Sequence, residues 1–75
     1  MGRLRVFSGA ELCHLLGGHG FRIVRRKGSH IILQKPIPGS TATVPVPNHR
    51  EIRLGTLKSI IRQSKLPPSL FEHAS

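Results

Sequence analysis

Residues 25–33, RRKGSHIIL, combine side chains that could act together on an anionic substrate. An unperturbed imidazole has a pKa of about 6.5, so His30 could accept or donate a proton near neutral pH. The neighbouring residues could hold a phosphate or position a longer polyanion. These candidate ligands are Arg25, Arg26, Lys27, Gly28 and Ser29. The alternative interpretation is that His30 is only a polar residue at the start of a strand.

The charge balance of the chain favours a polyanionic partner. Twelve lysines and arginines against three acidic residues give 75 residues a formal charge of +9. Nucleic acid is the first interpretation, and an acidic protein or an anionic membrane are the others. The length allows a single domain over residues 1–75, whose main part covers about residues 8–71, and a thin apolar core that includes Phe7, Phe21 and Phe71.

No segment of the sequence predicts a membrane span or a secretory signal. The longest apolar run is IIL, and the N-terminus lacks the apolar region of a signal peptide. Cys13 is the single cysteine, so it cannot form an internal disulfide, and a structural role is expected for it. These features predict a cytoplasmic protein.

The first predicted element is a helix of about ten residues. Ser8 and Glu11 have the spacing of a capping box, in which each side chain bonds the backbone amide of the other. An apolar stripe of helical period follows. Its members are Ala10, Leu12, Cys13, Leu15 and Leu16. Gly17, Gly18 and Gly20 are predicted to supply the positive φ that ends the helix.

Three strands are predicted next. From Phe21 the pattern alternates as in a half-exposed strand, Gly28 and Ser29 mark a turn, and residues 30–35 form the second strand. Within it Ile31 and Leu33 should face the core, which puts His30 on the open face of the sheet. The prolines of TATVPVP predict that the third strand lies at an edge.

A second helix is predicted to end before Pro67. Its apolar positions and a separate basic stripe both have helical spacing. The apolar positions are Leu54, Leu57, Ile60 and Ile61, and the basic stripe is Lys58, Arg62 and Lys65. The tail, PPSLFEHAS, could add one turn capped by Ser69 or fray. The predicted order is helix, three strands, helix.

The segments GHGFRIVRRKGSHIILQKP, TVPVPNH and LGTLKSIIRQSKL occur in an order and at separations that resemble the HicA family of toxins. The resemblance implies an α+β, αβββα fold like a double-stranded-RNA-binding domain, with two helices on one face of a three-stranded antiparallel sheet. It also implies an mRNA-cleaving endoribonuclease held inactive by a HicB-like antitoxin, with His30 as the catalytic histidine. This chain departs from many members in the residues after the histidine, Ile31 and Ile32, and in lacking tyrosine and tryptophan.

RNA supplies its own nucleophile, the 2′-hydroxyl, so cleavage needs proton transfer and donors for the charged transition state. Neither a metal nor another cofactor is predicted, since the chain has only three glutamates, one of them in a helix cap. The second proton-transfer group is left open among His49, Lys27 and water. Lys58 and Arg62 are predicted either to contact RNA or to form a solvated face.

The alternative function is a non-catalytic module that binds double-stranded RNA by shape. A DNA-binding or ribosomal protein is less favoured, because no recognition-helix pattern precedes the second helix. The oligomeric state of the free protein is left open, with a monomer favoured.

Overall fold

The computed structural model describes residues 2–73 of the chain. Its elements, in order, are α1 (Gly9–Gly18), β1 (Arg22–Lys27), β2 (His30–Ile37), β3 (Ser40–Pro47), α2 (Leu54–Ser64) and a 3₁₀ helix (Pro68–Phe71). The strands form one antiparallel sheet in the order β1-β2-β3. The predicted α+β class and αβββα order are confirmed. None of the helices within residues 2–73 has the length and apolar character needed to cross a membrane.

Helix α1 begins at the predicted capping box. The amide of Ser8 donates to Glu11 Oε1 at 2.8 Å, and the amide of Glu11 donates to Ser8 Oγ at 3.1 Å. The hydrogen bond from the Ser8 backbone is the main cause that lowers the pKa of Glu11. The prediction for the glycines at the other end is partly wrong. Gly17 and Gly18 stay in the helix, and only Gly20 has a positive φ, +93°.

A single apolar core lies between the helices and one face of the sheet. Its buried residues come from both helices, from β2 and β3, and from the segments around them. They are Phe7, Leu12, Leu16, Phe21, Ile31, Leu33, Ala42, Val44, Val46, Ile52, Leu57, Ile60, Ile61 and Phe71. The predictions that Ile31 and Leu33 face the core, and that all three phenylalanines belong to it, are confirmed.

Strand β1 is not the half-buried strand that its alternating pattern predicts. All six of its residues are exposed, whereas β2 and β3 both contain buried residues. The helix layer therefore covers β2 and β3 but leaves β1 largely uncovered. An alternating pattern tells which face a side chain takes, and it does not tell whether another element covers that face.

The prediction that β3 is an edge strand is confirmed by the strand order. Helix α2 differs from its predicted apolar stripe at both ends. Leu54, its first residue, is 57% exposed and borders a shallow depression that Val6 also lines. Ser64 is buried instead, and its hydroxyl donates to the Ile61 carbonyl at 2.7 Å and accepts from the Leu66 amide at 3.1 Å. Both hydrogen bonds offset the cost of burying this hydroxyl.

The tail forms the predicted extra turn, but Ser69 does not cap it. Ser69 lies inside the 3₁₀ helix, and the cap position is Pro67, which has no side-chain hydrogen bond. Backbone pairing holds this turn to the start of the chain, where the Arg5 amide donates to the Phe71 carbonyl at 2.8 Å. The Phe71 ring also packs edge-on against Phe7. The alternative prediction, that the tail frays, falls outside the described residues where it concerns residues 74 and 75.

Helix α1 packs so closely on the end of β3 that its first residue has no room for a side chain. A Cβ built at Gly9 would overlap the Pro47 carbonyl oxygen and lie 3.1 Å from Asn48 Cα. A Cβ at Gly17, in the same helix, would meet no atom within 4 Å. The structure therefore has no room for a side chain at Gly9 but has room for one at Gly17, and the two glycines form a matched pair for substitution.

We expect Gly9→Ala to lower the free energy of unfolding by about 1–3 kcal/mol, because backbone must shift to admit the methyl group. We expect Gly17→Ala to raise it by about 0.4–1 kcal/mol, because alanine restricts the unfolded chain and fits the helix. Urea unfolding of the two variants and the parent measures both effects. Equal stability of the Gly9 and Gly17 variants would contradict the close approach of α1 to β3.

Candidate active site

His30 is the first residue of β2, and strand pairing on both sides determines its position. Its partners are Lys27 in β1, across the turn Gly28–Ser29, and Pro47 in β3. Gly28 has φ +59°, a conformation that side-chain-bearing residues rarely adopt. Directly opposite residues point to one face of a sheet, with Cβ atoms about 5 Å apart. Lys27 and the exposed His30 therefore share the open face of the sheet.

A β-bulge in β1 determines which other cations share that face. Ile23 lies opposite Leu33 and Arg25 opposite Ile32, so two steps along β1 match one step along β2, and Val24 is the extra residue. Arg25 consequently points to the same side as Ile32, which is the side of His30. The open face thus presents Arg25 and Lys27 beside the histidine.

The electrostatic environment of this face is uniformly positive in its charged groups. The three strands contain five lysines and arginines and no aspartate or glutamate. The chain's three carboxylates, on Glu11, Glu51 and Glu72, all lie outside the strands. An anion on the open face would therefore meet cations without a competing carboxylate in the sheet.

Hydrogen bonds from outside the β1–β2 hairpin also hold the turn that precedes His30. The amide of Asn48 donates to the carbonyl of Ser29 at 2.7 Å, and the amide of Gly9 donates to the carbonyl of His49 at 2.8 Å. The turn, the segment after β3 and the start of α1 therefore meet at one end of the sheet. His49 belongs to this end, and its side chain is exposed.

The structure does not bring all the predicted site residues together. Arg26 is opposite Ile31, so it points to the side of the sheet that the helices cover. There its positive charge opposes the burial that raises the pKa of the Cys13 thiol. Lys58 and Arg62 belong to α2, which packs on that same side. These three cations are therefore separated by the sheet from His30, Lys27 and Arg25.

One open-face cation was absent from the predicted site. Arg22 lies opposite Gln34, whose side-chain amide donates to Thr43 Oγ1 at 3.3 Å. Arg22, Arg25 and Lys27 thus form a basic row along the open face. The signal was present in the sequence, because Arg22 alternates with the apolar Phe21 and must point away from the core.

The described residues offer few groups for metal or thiolate chemistry. Within residues 2–73, no three side chains among His, Cys, Asp and Glu come together in a way that could hold a metal ion. Cys13 is half-buried against the core, and this desolvation raises the pKa of its thiol. His30 is the imidazole that the strands place on the open face, beside Lys27 and Arg25.

Comparison with protein families identifies this chain's similarity to a toxin family. The family model described as HicA toxin of bacterial toxin-antitoxin matches residues 9–66 of the chain. This match includes both helices, the whole sheet and the candidate site. No curated protein and no solved structure matches the chain.

Adjacent residues on opposite faces allow a direct test of the open face as a polyanion site. We expect Arg25→Ala to weaken binding of a single-stranded RNA oligonucleotide severalfold more than Arg26→Ala, although both remove one charge. Fluorescence anisotropy at low and at physiological salt measures the two dissociation constants. Equal losses would show that RNA senses only net charge, and a larger loss for Arg26→Ala would move the site to the other face.

Proposed function

Because the chain belongs to the HicA family of toxins from bacterial toxin–antitoxin systems, we propose that it cleaves mRNA with His30 as a proton-transfer group. The observation that carries the proposal is the pairing of His30 with Lys27 on an exposed sheet face whose charged residues are all basic. In such a pair the lysine binds a phosphate and the imidazole reaches the atoms around it.

The proposed reaction is an internal transesterification of RNA. The 2′-oxygen attacks the adjacent phosphorus while a base takes its proton, and the bond from phosphorus to the 5′-oxygen breaks as that oxygen gains a proton. The products are a 2′,3′-cyclic phosphate and a 5′-hydroxyl, so atoms and charges balance without an external reagent. Imidazole can serve in either proton transfer near neutral pH.

The residues around His30 supply the electrostatic part of this mechanism. The Lys27 ammonium group lies on the same face and stabilises the negative charge that builds on the phosphate oxygens. Backbone amides of the Gly28–Ser29 turn add donors at the same end of the hairpin. Arg25 and Arg22, further along the open face, contact phosphates of the same strand and hold it in register.

A single histidine cannot be the base and the acid in the same step, so a second group is required. His49 is a candidate because it lies just beyond Pro47, the β3 partner of His30, at the end of the sheet where Asn48 bonds the hairpin turn. Lys27 and water are the other candidates. His49 is the one of these that a single substitution tests without removing a phosphate ligand.

The toxin–antitoxin family implies an antitoxin partner. We propose that this partner is a HicB-like protein, and that it presents acidic groups to the open face and covers His30 and Lys27. Charge complementarity of this kind speeds association and selects the partner. It also uses the same cations that hold RNA, so RNA and antitoxin exclude each other.

A second candidate function is shape-dependent binding of double-stranded RNA without cleavage. The observation that favours it is the exposed pair of cations on α2, Lys58 and Arg62, with Lys65 directly after the helix, on the side of the molecule away from His30. This module would not need His30 at all. Substitution of the histidine therefore separates the two functions.

We expect His30→Ala to reduce the rate of RNA cleavage by about 10²–10⁴, because the proton transfers lose their agent. The fold should be kept, since exposed substitutions usually change stability by less than about 0.5 kcal/mol. Affinity for RNA should be nearly unchanged, because the cations remain. Cleavage, binding and thermal melting are measured on the same purified variant.

The matched controls are two other exposed histidines. His14→Ala, on helix α1, should cleave at the parental rate, and His49→Ala should be slow only if His49 is the second proton-transfer group. Cleavage by His30→Ala at the parental rate would place the nuclease site elsewhere. Unfolding of that variant would show that His30 has a structural role.

Cleavage should continue when EDTA is present, because few carboxylates are available to bind a hard cation and Glu11 is engaged at the start of α1. The measurement is the cleavage rate and the end groups of the product, with and without EDTA. A metal-free reaction by the proposed route leaves a 2′,3′-cyclic phosphate. Activity lost in EDTA and regained with magnesium or manganese would refute the mechanism.

A further inference from the structure

The two edge strands of the sheet differ in whether a further strand can pair with them. Strand β3 carries Pro45 and Pro47, which have no N–H group to donate to an added strand. Strand β1, at the other edge, has no proline, and all of its residues are exposed. An unpaired edge of this kind is a template for another extended chain.

The outward-facing groups of β1 follow from the hairpin. Lys27 and His30 flank a two-residue turn, so they form a hydrogen-bonded pair, and the next pair, Arg26 and Ile31, does not exchange hydrogen bonds. The N–H and C=O groups of Arg26 therefore point away from β2, toward the open edge. They are available to an added strand.

The side chains of β1 specify what kind of strand this edge accepts. Four of its six residues are cationic, namely Arg22, Arg25, Arg26 and Lys27. Two β-branched residues in the middle, Ile23 and Val24, keep 49% and 44% of their surface exposed. A complementary strand would carry carboxylates to pair with the cations and aliphatic side chains to cover the apolar pair.

We propose that the β1 edge binds an extended acidic polypeptide segment, which adds to the sheet as a fourth strand. A second copy of this chain is a poor occupant, because pairing β1 with β1 would put like charges opposite each other. Charge on an edge strand protects it against strands of the same sign, but it attracts strands of the opposite sign. The inference rests on the fold and not on the chemistry of His30.

RNA fits this edge less well than a polypeptide, although both are anionic. Phosphate oxygens can accept from outward N–H groups, but they leave the outward C=O groups without a donor. A peptide strand supplies both, in the alternating order that the edge requires. It also offers apolar side chains to Ile23 and Val24, which a phosphate backbone does not.

The test uses an acetylated and amidated heptapeptide of alternating glutamate and valine. A control peptide of equal charge has proline in place of each valine, so it lacks the N–H group at every second residue and cannot pair through those residues. We expect the first peptide to bind at least tenfold more tightly and to slow amide hydrogen exchange at Arg26, as followed by NMR. Equal affinity for the two peptides, or unchanged exchange at Arg26, would overturn the proposal.

Two substitutions at one position separate the backbone from the charge. Arg26→Thr removes the charge, and Arg26→Pro removes the charge together with the outward N–H group. We expect the proline variant to bind the glutamate–valine peptide at least tenfold more weakly than the threonine variant, and equal affinities would overturn the proposal. If the proline variant fails to fold in thermal melting, the exchange measurement on the parent protein still decides the question.

The other possible occupants give distinct results. If, without peptide, protection of the Arg26 amide from exchange increases with protein concentration, the edge binds a second copy of the chain. Slowed exchange with single-stranded RNA but not with the peptide would assign it to RNA. Either result would overturn the proposal.

Discussion

Two backbone hydrogen bonds between distant parts of the chain hold together the end of the sheet at which strand pairing places His30. One links the start of α1 to His49, and the other links Asn48 to the turn that carries His30 into the sheet. The first depends on the missing side chain of Gly9, because only a glycine lets the helix approach the Pro47 carbonyl so closely. The end of the sheet that carries this exposed histidine is thus held by a helix contact that leaves no room for a side chain at Gly9.

This constraint explains how a small protein can keep a reactive group in the open. The core consists of apolar residues on the other side of the sheet, and His30 contributes nothing to it. The open face can therefore carry repulsive charges whose cost the core offsets. Of the three glutamates, Glu11 belongs to the cap of α1, and none of the three lies among the cations of the sheet. A surface with so many cations and no carboxylate among them favours a polyanionic ligand.

Local patterns in the sequence predicted most of the fold. The capping box, the two-residue turn, the buried pair of Ile31 and Leu33 and the edge position of β3 all follow from residue types and short spacings. The errors concern long-range packing. Leu54 and strand β1 have patterns suited to burial, but the layer that should cover them does not reach that far. How far one element covers another depends on both elements, so neither sequence pattern alone predicts it.

The bulge at Val24 shows that one part of the site could have been predicted by combining two local rules. Counting forward from the buried Phe21, strict alternation would put Arg25 on the core side. Counting back across the two-residue turn from His30 puts it on the open face. Both counts are locally sound, so one extra residue must lie between them, and the register places it at Val24. The conflict is resolved in favour of the turn, because a turn fixes its flanking pair whereas an exposed strand can admit a bulge at low cost. The same reasoning puts Lys27 and Arg25 beside His30 and moves Arg26 to the other face.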